Sequence, residues 1–514
     1  MHRPRNILFV IFDQMRADCV AGALASHVDL PNIQQFRKES VSFDAHMSVV
    51  NPCGPSRTSI LTGQYAMNHR STRNGTPLRH DTPNLARELR KGGYTPLLFG
   101  YTDTTQDPRA FPASDPAMHT YEHPMEGFSE ALEMRFEESY PWRAHLKGKG
   151  YAFDAYEDLY KPVAPEGRAP RPSDPALYRA EDSDTAFLTD RVLGHLPALE
   201  GQSWCAHVTY IRPHPPLVAP APYNRMVDPT ALPAPIAQPT PEAEAALHPF
   251  CGPALKATEA RHMVVGQDDL QPDAATVQEL RAVYLGLAAE VDHHFGRLIA
   301  YLKDSGQYDD TLIVMTADHG EMLGDHHMWG KMSLYDAAYH TPLSIRLPGN
   351  EAQAGKVWDV PTESIDIMPT LLEFAGQDIP NVVDGRSLMP LLRGELPADW
   401  RRYSFSELDF SDPITPTVWQ HELGGTASDS NLAILREERF TLVAFAGDLP
   451  PVLFDHAGEG EMRNVAEDPA YASDLSRLML TMLRHRMRNM NHLLSLDAVT
   501  PAGPKQAKRY STEG

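Results

Sequence analysis

Short apolar runs alternate with longer amphipathic segments along most of the chain. Five runs are interpreted as buried strands: Asn6 to Phe12, Thr95 to Gly100, Trp204 to Ile211, Thr311 to Thr316 and, as a further candidate, Leu343 to Leu347. Between Ala275 and Leu302 the apolar side chains recur at helical spacing, which predicts one long helix with a buried face. The alternation predicts an α/β fold with a largely parallel sheet covered by helices.

Two regions depart from this alternation. The proline-rich stretch from Ala219 to Phe250 lacks periodicity and is interpreted as a long excursion over the surface. After the segment Asp384 to Gly394 the pattern changes to shorter strand-like pieces and a helix around residues 475–488. A domain boundary is placed near Pro380, giving domains 1–380 and 381–514. The polar C-terminal segment 489–514 is expected to be an arm across a partner subunit rather than a disordered tail.

Composition is that of a folded globular chain of 514 residues, 42% of them hydrophobic. The four cysteines, Cys19, Cys53, Cys205 and Cys251, are far apart and unpaired in spacing, which indicates a reduced, cytoplasmic setting. The apolar N-terminus is too short for a signal peptide and is interrupted by Asp13. No stretch reaches the length of a membrane span, so no membrane partner is expected.

The formal net charge of −22 argues against nucleic acid and anionic membranes as partners, because both require clustered Lys and Arg. If the substrate is an anion, the attraction must be local. Cations or a metal ion must then gather in one pocket.

Residues with useful chemistry follow the predicted strands. The run from Asn6 ends at Asp13, and the run from Thr311 is followed by Asp318 and His319. The run from Trp204 is followed by His214, and a loop shortly after Asp318 carries Lys331. Singly, each has an ordinary explanation as a helix cap, a buried histidine or a solvated lysine. At one sheet edge, two carboxylates and an imidazole would need a cation, and this donor set suits Ca²⁺, Mg²⁺ or Mn²⁺ better than structural zinc.

A zinc site formed by Asp325, His326 and His327 is a minor alternative. These residues do not match the HExxH pattern, and adjacent histidines cannot share one helix face.

The segment Cys53-Gly-Pro-Ser-Arg57 carries the most specific signal. It matches the CxPxR signature of type I sulfatases, in which the cysteine becomes Cα-formylglycine, and "LTGQY" follows it. Further matches are "DQMRAD", "GYTDTTQDPR", "RPHPP", "DHGEMLGDHH" and "SIDIMPTLLEFAG". Together they resemble the phosphonate monoester hydrolases and related arylsulfatases of the alkaline phosphatase superfamily.

The resemblance implies a large mixed, mostly parallel sheet between helices, followed by a smaller C-terminal α+β domain with an antiparallel sheet. It also implies that Cys53 is the precursor of a formylglycine nucleophile made by a maturation enzyme. As a hydrated aldehyde, this group would attack sulfur or phosphorus with one hydroxyl and release the anion through the other, so several ester classes are accessible. A homo-oligomer, a dimer or tetramer, is expected by analogy.

Family roles carry over by position. One divalent metal, Mn²⁺ or Ca²⁺, would be bound by Asp13, residue 53, Asp318 and His319. Arg57 would hold the formylglycine side chain. His214 and Lys331 would contact the non-bridging oxygens or protonate the leaving group, and either of them could be the general acid. Asn74, Tyr101 and Asp103 would line the substrate pocket.

Two positions depart from the family pattern. Gln14 stands where many sulfatases have a second aspartate, which favours Mn²⁺ over Ca²⁺. Asp103 stands where the phosphonate monoester hydrolases have threonine, and a charged carboxylate there would repel an anionic ester. Asp103 is therefore expected to be paired, protonated or turned away, with Lys331 as the candidate cation.

Three functions are compatible with the sequence. The leading one is a metal-dependent hydrolase of monoanionic sulfate esters, phosphonate monoesters and phosphodiesters. The second is a phosphomutase or phosphotransferase of the same superfamily, which usually has Ser or Thr as nucleophile and ligands for two metals. The third is a catalytically silent, sulfatase-like binding protein that retains the Cys53 thiol.

Overall fold

The computed structural model describes residues 6–509. Within that range the strands are β1 Asn6–Phe12, β2 Val41–Phe43, β3 His46–Met47, β4 Val50–Asn51, β5 Pro96–Gly100, β6 Ser129–Glu133, β7 Cys205–Tyr210, β8 Thr311–Ala317, β9 Leu343–Arg346, β10 Val357–Trp358, β11 Thr362–Glu363, β12 Ser404–Asp409, β13 Asn431–Arg436, β14 Phe440–Phe445, β15 Val452–Asp455, β16 Asp497–Thr500 and β17 Gly503–Gln506.

Helices connect and cover these strands. They are α1 Pro31–Glu39, α2 Cys53–Thr62, α3 Ala66–His69, α4 Leu85–Lys91, α5 Tyr140–Gly148, α6 Asp184–His195, α7 Pro241–Ala245, α8 Cys251–Ala257, α9 Ala274–Asp304, α10 Ile367–Ala375, α11 Met389–Leu392, α12 Val418–Leu423 and α13 Ala472–Arg488.

The principal sheet has the strand order β10-β2-β9-β8-β1-β7-β5-β6. Its strands pair in parallel except where β9 meets β8 and β2. Every residue of β1 and β8 is buried, as expected for central strands covered by helices on both faces. The predicted mixed, mostly parallel sheet is confirmed, and the five strands proposed from the sequence lie side by side in it.

Helix α9 is the longest helix among the described residues, at 31 residues. Its predicted apolar stripe lies in the core, where Leu280, Leu287, Phe295 and Leu298 are fully buried. It packs against α1 and α6 on one face of the principal sheet. The periodicity therefore predicted both the helix and its buried face.

A second sheet has the strand order β15-β14-β13-β12-β4. Four of its strands come from residues 404–455 and pair antiparallel, and α13 packs on β14. The fifth, β4, comes from Val50 and Asn51 and pairs in parallel with β12. The second sheet is therefore completed by the chain segment that leads directly into Cys53, while the boundary near Pro380 stays a prediction.

The two irregular regions lie against the rest of the chain. In the proline-rich segment, the Ile236 N–H donates to Asp325 at 2.9 Å, and Gln238 Nε2 donates to the Met462 carbonyl at 2.8 Å. Strands β16 and β17 form an exposed hairpin after α13. After the hairpin, Arg509 forms a salt bridge with Asp384, with 3.0 Å between Nη1 and Oδ1.

Candidate active site

Four neighbouring strands of the principal sheet deliver the predicted site residues to one edge. Asp13 follows β1, and Asp318 and His319 follow β8, whose last residue Ala317 is in register with Phe12. Tyr101 follows β5. His214 lies on the loop after β7. Because parallel strands end at the same edge, residues far apart in the sequence meet there.

Cys53 is the first residue of α2 and is 5% exposed. His319 Nε2 lies 3.2 Å from Cys53 Sγ, and Asp13 Oδ1 lies 3.9 Å from it. One ligand atom from each of Asp13, Cys53, Asp318 and His319 falls within 4.8 Å of all the others, and this is the one such group of candidate ligands within residues 6–509. Burial, followed by the charge of Asp13, raises the pKa of the Cys53 thiol.

Arg57 lies one turn further along α2 and is fully buried. Its Nε donates to Asp318 and its Nη2 donates to Asp13, both at 3.0 Å. The Tyr101 ring packs against the guanidinium at 4.1 Å, and the Tyr101 hydroxyl donates to Asp13. Arg57 thus joins the two predicted metal-binding carboxylates through the planar fork of donors that a lysine lacks.

Asp103 is the third carboxyl beside Arg57, with Oδ2 3.8 Å from Nε. The predicted cationic neighbour is therefore present, but it is Arg57 rather than Lys331. Because Arg57 already binds Asp13 and Asp318 more closely, its attraction does not offset burial, and the pKa of Asp103 is raised well above its ordinary value. The backbone of Asp103 has a φ of 49°, in the left-handed region.

Asn74 contacts the start of α2 rather than another side chain of the group. Its Oδ1 accepts a hydrogen bond from the Gly54 N–H at 2.9 Å. A Cβ on Gly54 would lie 2.9 Å from that oxygen and 3.0 Å from the Asp103 carbonyl, so this close approach requires glycine.

Lys331, His214 and Gln14 form a hydrogen-bonded chain next to the group. Lys331 Nζ lies 2.7 Å from Gln14 Oε1 and 3.0 Å from His214 Nε2. His214 Nδ1 faces the Pro215 carbonyl at 2.5 Å, so Nδ1 carries the ring proton and Nε2 accepts from Lys331. Burial and the neighbouring Lys331 lower the pKa of His214 to about 3.

Glu321 is a residue of this chain that the sequence reasoning missed. Its carboxylate accepts from Gln14 Nε2 and from the Leu323 N–H, which fixes the Gln14 amide with its oxygen towards Lys331. Its position two residues after His319 could have suggested a role in the site. Its hydrogen bond to Gln14, however, is known only from the folded structure.

The three residues of the alternative zinc site bind other partners. Asp325 pairs with Arg16 at 2.8 Å, His326 with Glu244 at 2.9 Å, and His327 with the Gln238 carbonyl at 2.8 Å. They do not form a metal-binding group among the described residues, and the alternative is wrong.

No helix in the described part of the chain combines the length and apolar character needed to cross a bilayer.

Comparison with known proteins places this geometry in a family. The sulfatase model matches residues 5–377, and the model of the C-terminal part of N-sulphoglucosamine sulphohydrolase matches residues 324–489. A solved phosphonate monoester hydrolase from Silicibacter pomeroyi is 64% identical, with a TM-score of 0.97 over 99% of this chain and 100% of that one.

Two further relatives extend the similarity. The phosphonate monoester hydrolase of Agrobacterium radiobacter is 38% identical, with a TM-score of 0.93 over 98% of this chain and 100% of that one. The multifunctional alkaline phosphatase superfamily protein PehA of Trinickia caryophylli is 38% identical over 96% of this chain and 98% of its own length. The chain belongs to the sulfatase family of the alkaline phosphatase superfamily.

Proposed function

We propose that the protein is a metal-dependent hydrolase of monoanionic sulfate esters, phosphonate monoesters and phosphodiesters. The observation that carries the proposal is the buried group of Asp13, Cys53, Asp318 and His319. It occurs in a chain that is 64% identical to a phosphonate monoester hydrolase along almost its whole length.

The residues fit the two groups that the family implies. Two carboxylates and an imidazole converge on Cys53, and their donor atoms suit one hard or borderline cation, Mn²⁺ or Ca²⁺. Asp13, residue 53, Asp318 and His319 would hold it, with Cys53 converted to formylglycine. When present, the cation would supply Lewis-acid stabilisation of negative charge, and formylglycine would supply a hydroxyl nucleophile in place of the thiol.

Arg57 would keep this site organised. Its hydrogen bonds to Asp13 and Asp318 hold both carboxylates in position, and its charge offsets their mutual repulsion. Tyr101 supports the same arrangement through its hydroxyl and ring. The contacts favour a positioning role for Tyr101 over direct substrate binding.

The leaving alcohol would receive its proton from Lys331. Of the two candidates, Lys331 carries the proton at their shared contact, because the Nε2 lone pair of His214 faces Lys331 Nζ. Burial by itself would lower the pKa of Lys331, but the Cys53 and Asp13 side chains raise it. His214 and Gln14 would orient the ammonium group towards the bound ester.

The proposal is tested with an aryl sulfate, an aryl phosphonate monoester and an aryl phosphodiester that share one leaving group. The value of kcat/KM is measured for wild type and for Cys53→Ala, with peptide mass spectrometry of position 53 in protein from its own host. We expect hydrolysis that requires Cys53, together with an aldehyde mass. Activity unchanged in Cys53→Ala would overturn the mechanism, and an inactive protein with an unmodified thiol would favour the silent binding protein.

We further propose a homo-oligomer. Apolar side chains recur along the exposed side of α13 and beyond it, including Leu483, Met487 and Met490 at 55%, 63% and 65% exposure. A second copy would cover them, because so much aligned apolar surface is unfavourable in water. Light scattering of wild type and Leu483→Lys tests this, and a monomeric wild type would contradict it.

The cellular setting and the maturation enzyme are proposals as well. All four cysteines are buried and unpaired, which supports a reducing, cytoplasmic location. Subcellular fractionation tests the location, and the mass of the peptide around Cys53 tests the modification.

A further inference from the structure

We propose that Arg212 is a positioning residue that sets the orientation and ring tautomer of His214. This inference rests on the proposed function, because it concerns how the protonating pair is held. Arg212 follows β7 and is fully buried, 0% exposed, so its guanidinium takes no part in binding solvent or substrate directly.

The guanidinium of Arg212 holds two carbonyls of the loop that carries His214. Its Nη1 donates to the His214 carbonyl at 3.1 Å and to the Pro216 carbonyl at 2.8 Å. The carbonyl between them, that of Pro215, faces His214 Nδ1. Arg212 therefore fixes the peptide units on both sides of the acceptor that decides which ring nitrogen bears the proton.

The other contacts of Arg212 keep the guanidinium from turning. Asp184, at the start of α6, lies 3.2 Å from Nε, and the Tyr178 hydroxyl lies 3.3 Å from Nη2. The Tyr160 ring lies 5.4 Å from the guanidinium carbon. A lysine has one nitrogen, so it could not reach both carbonyls and also keep the contacts that Nε makes with Asp184 and Nη2 makes with Tyr178.

Arg212 would affect the reaction through Lys331, which is hydrogen-bonded to His214. With the proton on Nδ1, His214 Nε2 is free to accept from Lys331 Nζ at 3.0 Å. If the loop relaxes, His214 loses its fixed acceptor and Lys331 loses one of its two partners. The ammonium group would then be less often aligned with the leaving oxygen, which costs most when the leaving alcohol is a weak acid.

The experiment compares two substrates that differ in leaving group. The value of kcat is measured for a 4-nitrophenyl ester and for an unactivated alkyl ester of the same acid, with wild type, His214→Ala, Arg212→Lys and the double variant. For Arg212→Lys we expect about a tenfold fall for the alkyl ester and less than about a threefold change for the nitrophenyl ester, since a general acid matters little to a good leaving group. The double variant should match His214→Ala, because Arg212 acts through that histidine.

Arg401→Lys is the matched control, because the Arg401 side chain is only 11% exposed and also pairs with carboxylates, Glu363 and Asp366, none of which contacts this loop. Its ratio of nitrophenyl to alkyl rates should equal that of wild type. Tyr178→Phe supplies a milder test that leaves Arg212 in place, with a smaller change of ratio in the same direction.

Each outcome decides the question. An unchanged ratio in both Arg212→Lys and Tyr178→Phe would overturn the inference while wild-type activity leaves the proposed function standing. If the losses in Arg212→Lys and His214→Ala multiply in the double variant, the two residues act independently, and the inference is also overturned. A wild type without Cys53-dependent hydrolysis of either ester would overturn the proposed function and the inference together. If Arg212→Lys does not fold, the ratio in Tyr178→Phe decides.

Discussion

Arg57 faces three buried carboxyls with a single positive charge. Asp13 and Asp318 take its hydrogen bonds, and Asp103, at 3.8 Å, is left with a weaker attraction. A carboxyl in that position is more stable with its proton, which removes the repulsion that a charged group would exert on an anionic ester.

Asp103→Asn should therefore have little effect at neutral pH, because an amide has nearly the same shape as a protonated carboxyl. We expect kcat/KM at pH 7 to change less than about threefold. Because burial raises the pKa of Asp103, the wild type should lose activity as the pH rises through the ionisation of this carboxyl, while the variant keeps it. The pH profiles of kcat/KM for the two proteins check this, and a large loss in Asp103→Asn at pH 7 would show that the charged form is needed.

Much of the candidate site could be predicted from single residues and short motifs. One motif contains Cys53 and Arg57, whose spacing is fixed by helix α2. Another contains Asp318 and His319, which directly follow strand β8. The pairing of Asp103 with Arg57 could not be predicted, because Lys331 and Arg57 are equally plausible cations until the loop after β5 is folded. Glu321 was missed for the same reason, since its partner Gln14 is far away in the sequence.

At the scale of elements, α9 approaches its neighbour backbone to backbone. A Cβ on Gly286 would lie 2.0 Å from the Tyr223 carbonyl oxygen. The helix can pack this closely only because the residue has no side chain.

Gly286→Ala should lower the free energy of unfolding by about 1–3 kcal/mol, because the backbone must move to admit a methyl group. Gly194→Ala is the control: Gly194 is also helical, in α6, and its Cβ would meet nothing within 4 Å. There the higher helix propensity of alanine should stabilise the protein by up to about 1 kcal/mol. Denaturant unfolding measures both, and equal effects would contradict this view of the packing.

The turn after Gly324 is linked to α7 and to the C-terminal part by one histidine. His326 is 1% exposed, lies 2.9 Å from Glu244 and 3.6 Å from Glu461, and stacks on Tyr335. Burial would lower its pKa, but the hydrogen bond to Glu244 and the charges of both glutamates raise the pKa of His326 to about 9.

This raised pKa predicts a loss of stability in mild alkali. A histidine that binds its proton more tightly when folded contributes fully below its unfolded pKa of 6.5, and loses the contribution as pH rises through about 9. We expect His326 to account for up to about 3 kcal/mol of the decline in unfolding free energy over that interval. Unfolding of wild type and His326→Gln at several pH values measures it, and parallel curves would refute the assignment.

The long elements of the fold were predictable, and the shortest were not. The strand from Thr311 and the helix from Ala274 carry enough apolar residues for their period to be recognised. Strand β4 has two residues, and only the distant β12 makes it a strand. Its pairing with β12 joins residues roughly 360 positions apart in the sequence, which no local pattern records.

At the scale of the whole molecule, a net charge of −22 attracts cations, and the buried group of Asp13, Cys53, Asp318 and His319 is where one would bind. Without a metal, the carboxylates of the buried group are balanced by Arg57, which pairs with both, and by the charge of the nearby Lys331. Metal binding should therefore stabilise the folded protein as well as activate it.

Chelation should lower the unfolding temperature by several degrees, since a metal at 100 times its Kd contributes about 2.7 kcal/mol. Adding Mn²⁺ or Ca²⁺ back should restore stability and activity together, and the larger restoration identifies the preferred ion. The unfolding temperature of Asp318→Asn should change little when the metal is removed or added back. Thermal unfolding with each ion tests this, and an equal shift in the variant would place the metal elsewhere.

The short strand β4 also bears on the order of events during synthesis. Residues 50–51 pair with β12, which begins at Ser404, and Cys53 is 95% buried once the fold is complete. The proposed maturation enzyme would need to reach the thiol before the completed fold buries it. At about 5–20 residues per second, the ribosome takes roughly 20–70 s to travel between these two strands. We therefore expect the proposed conversion of Cys53 to take place on the nascent chain, so that slower or faster translation between the two strands changes the fraction of enzyme that is ever active.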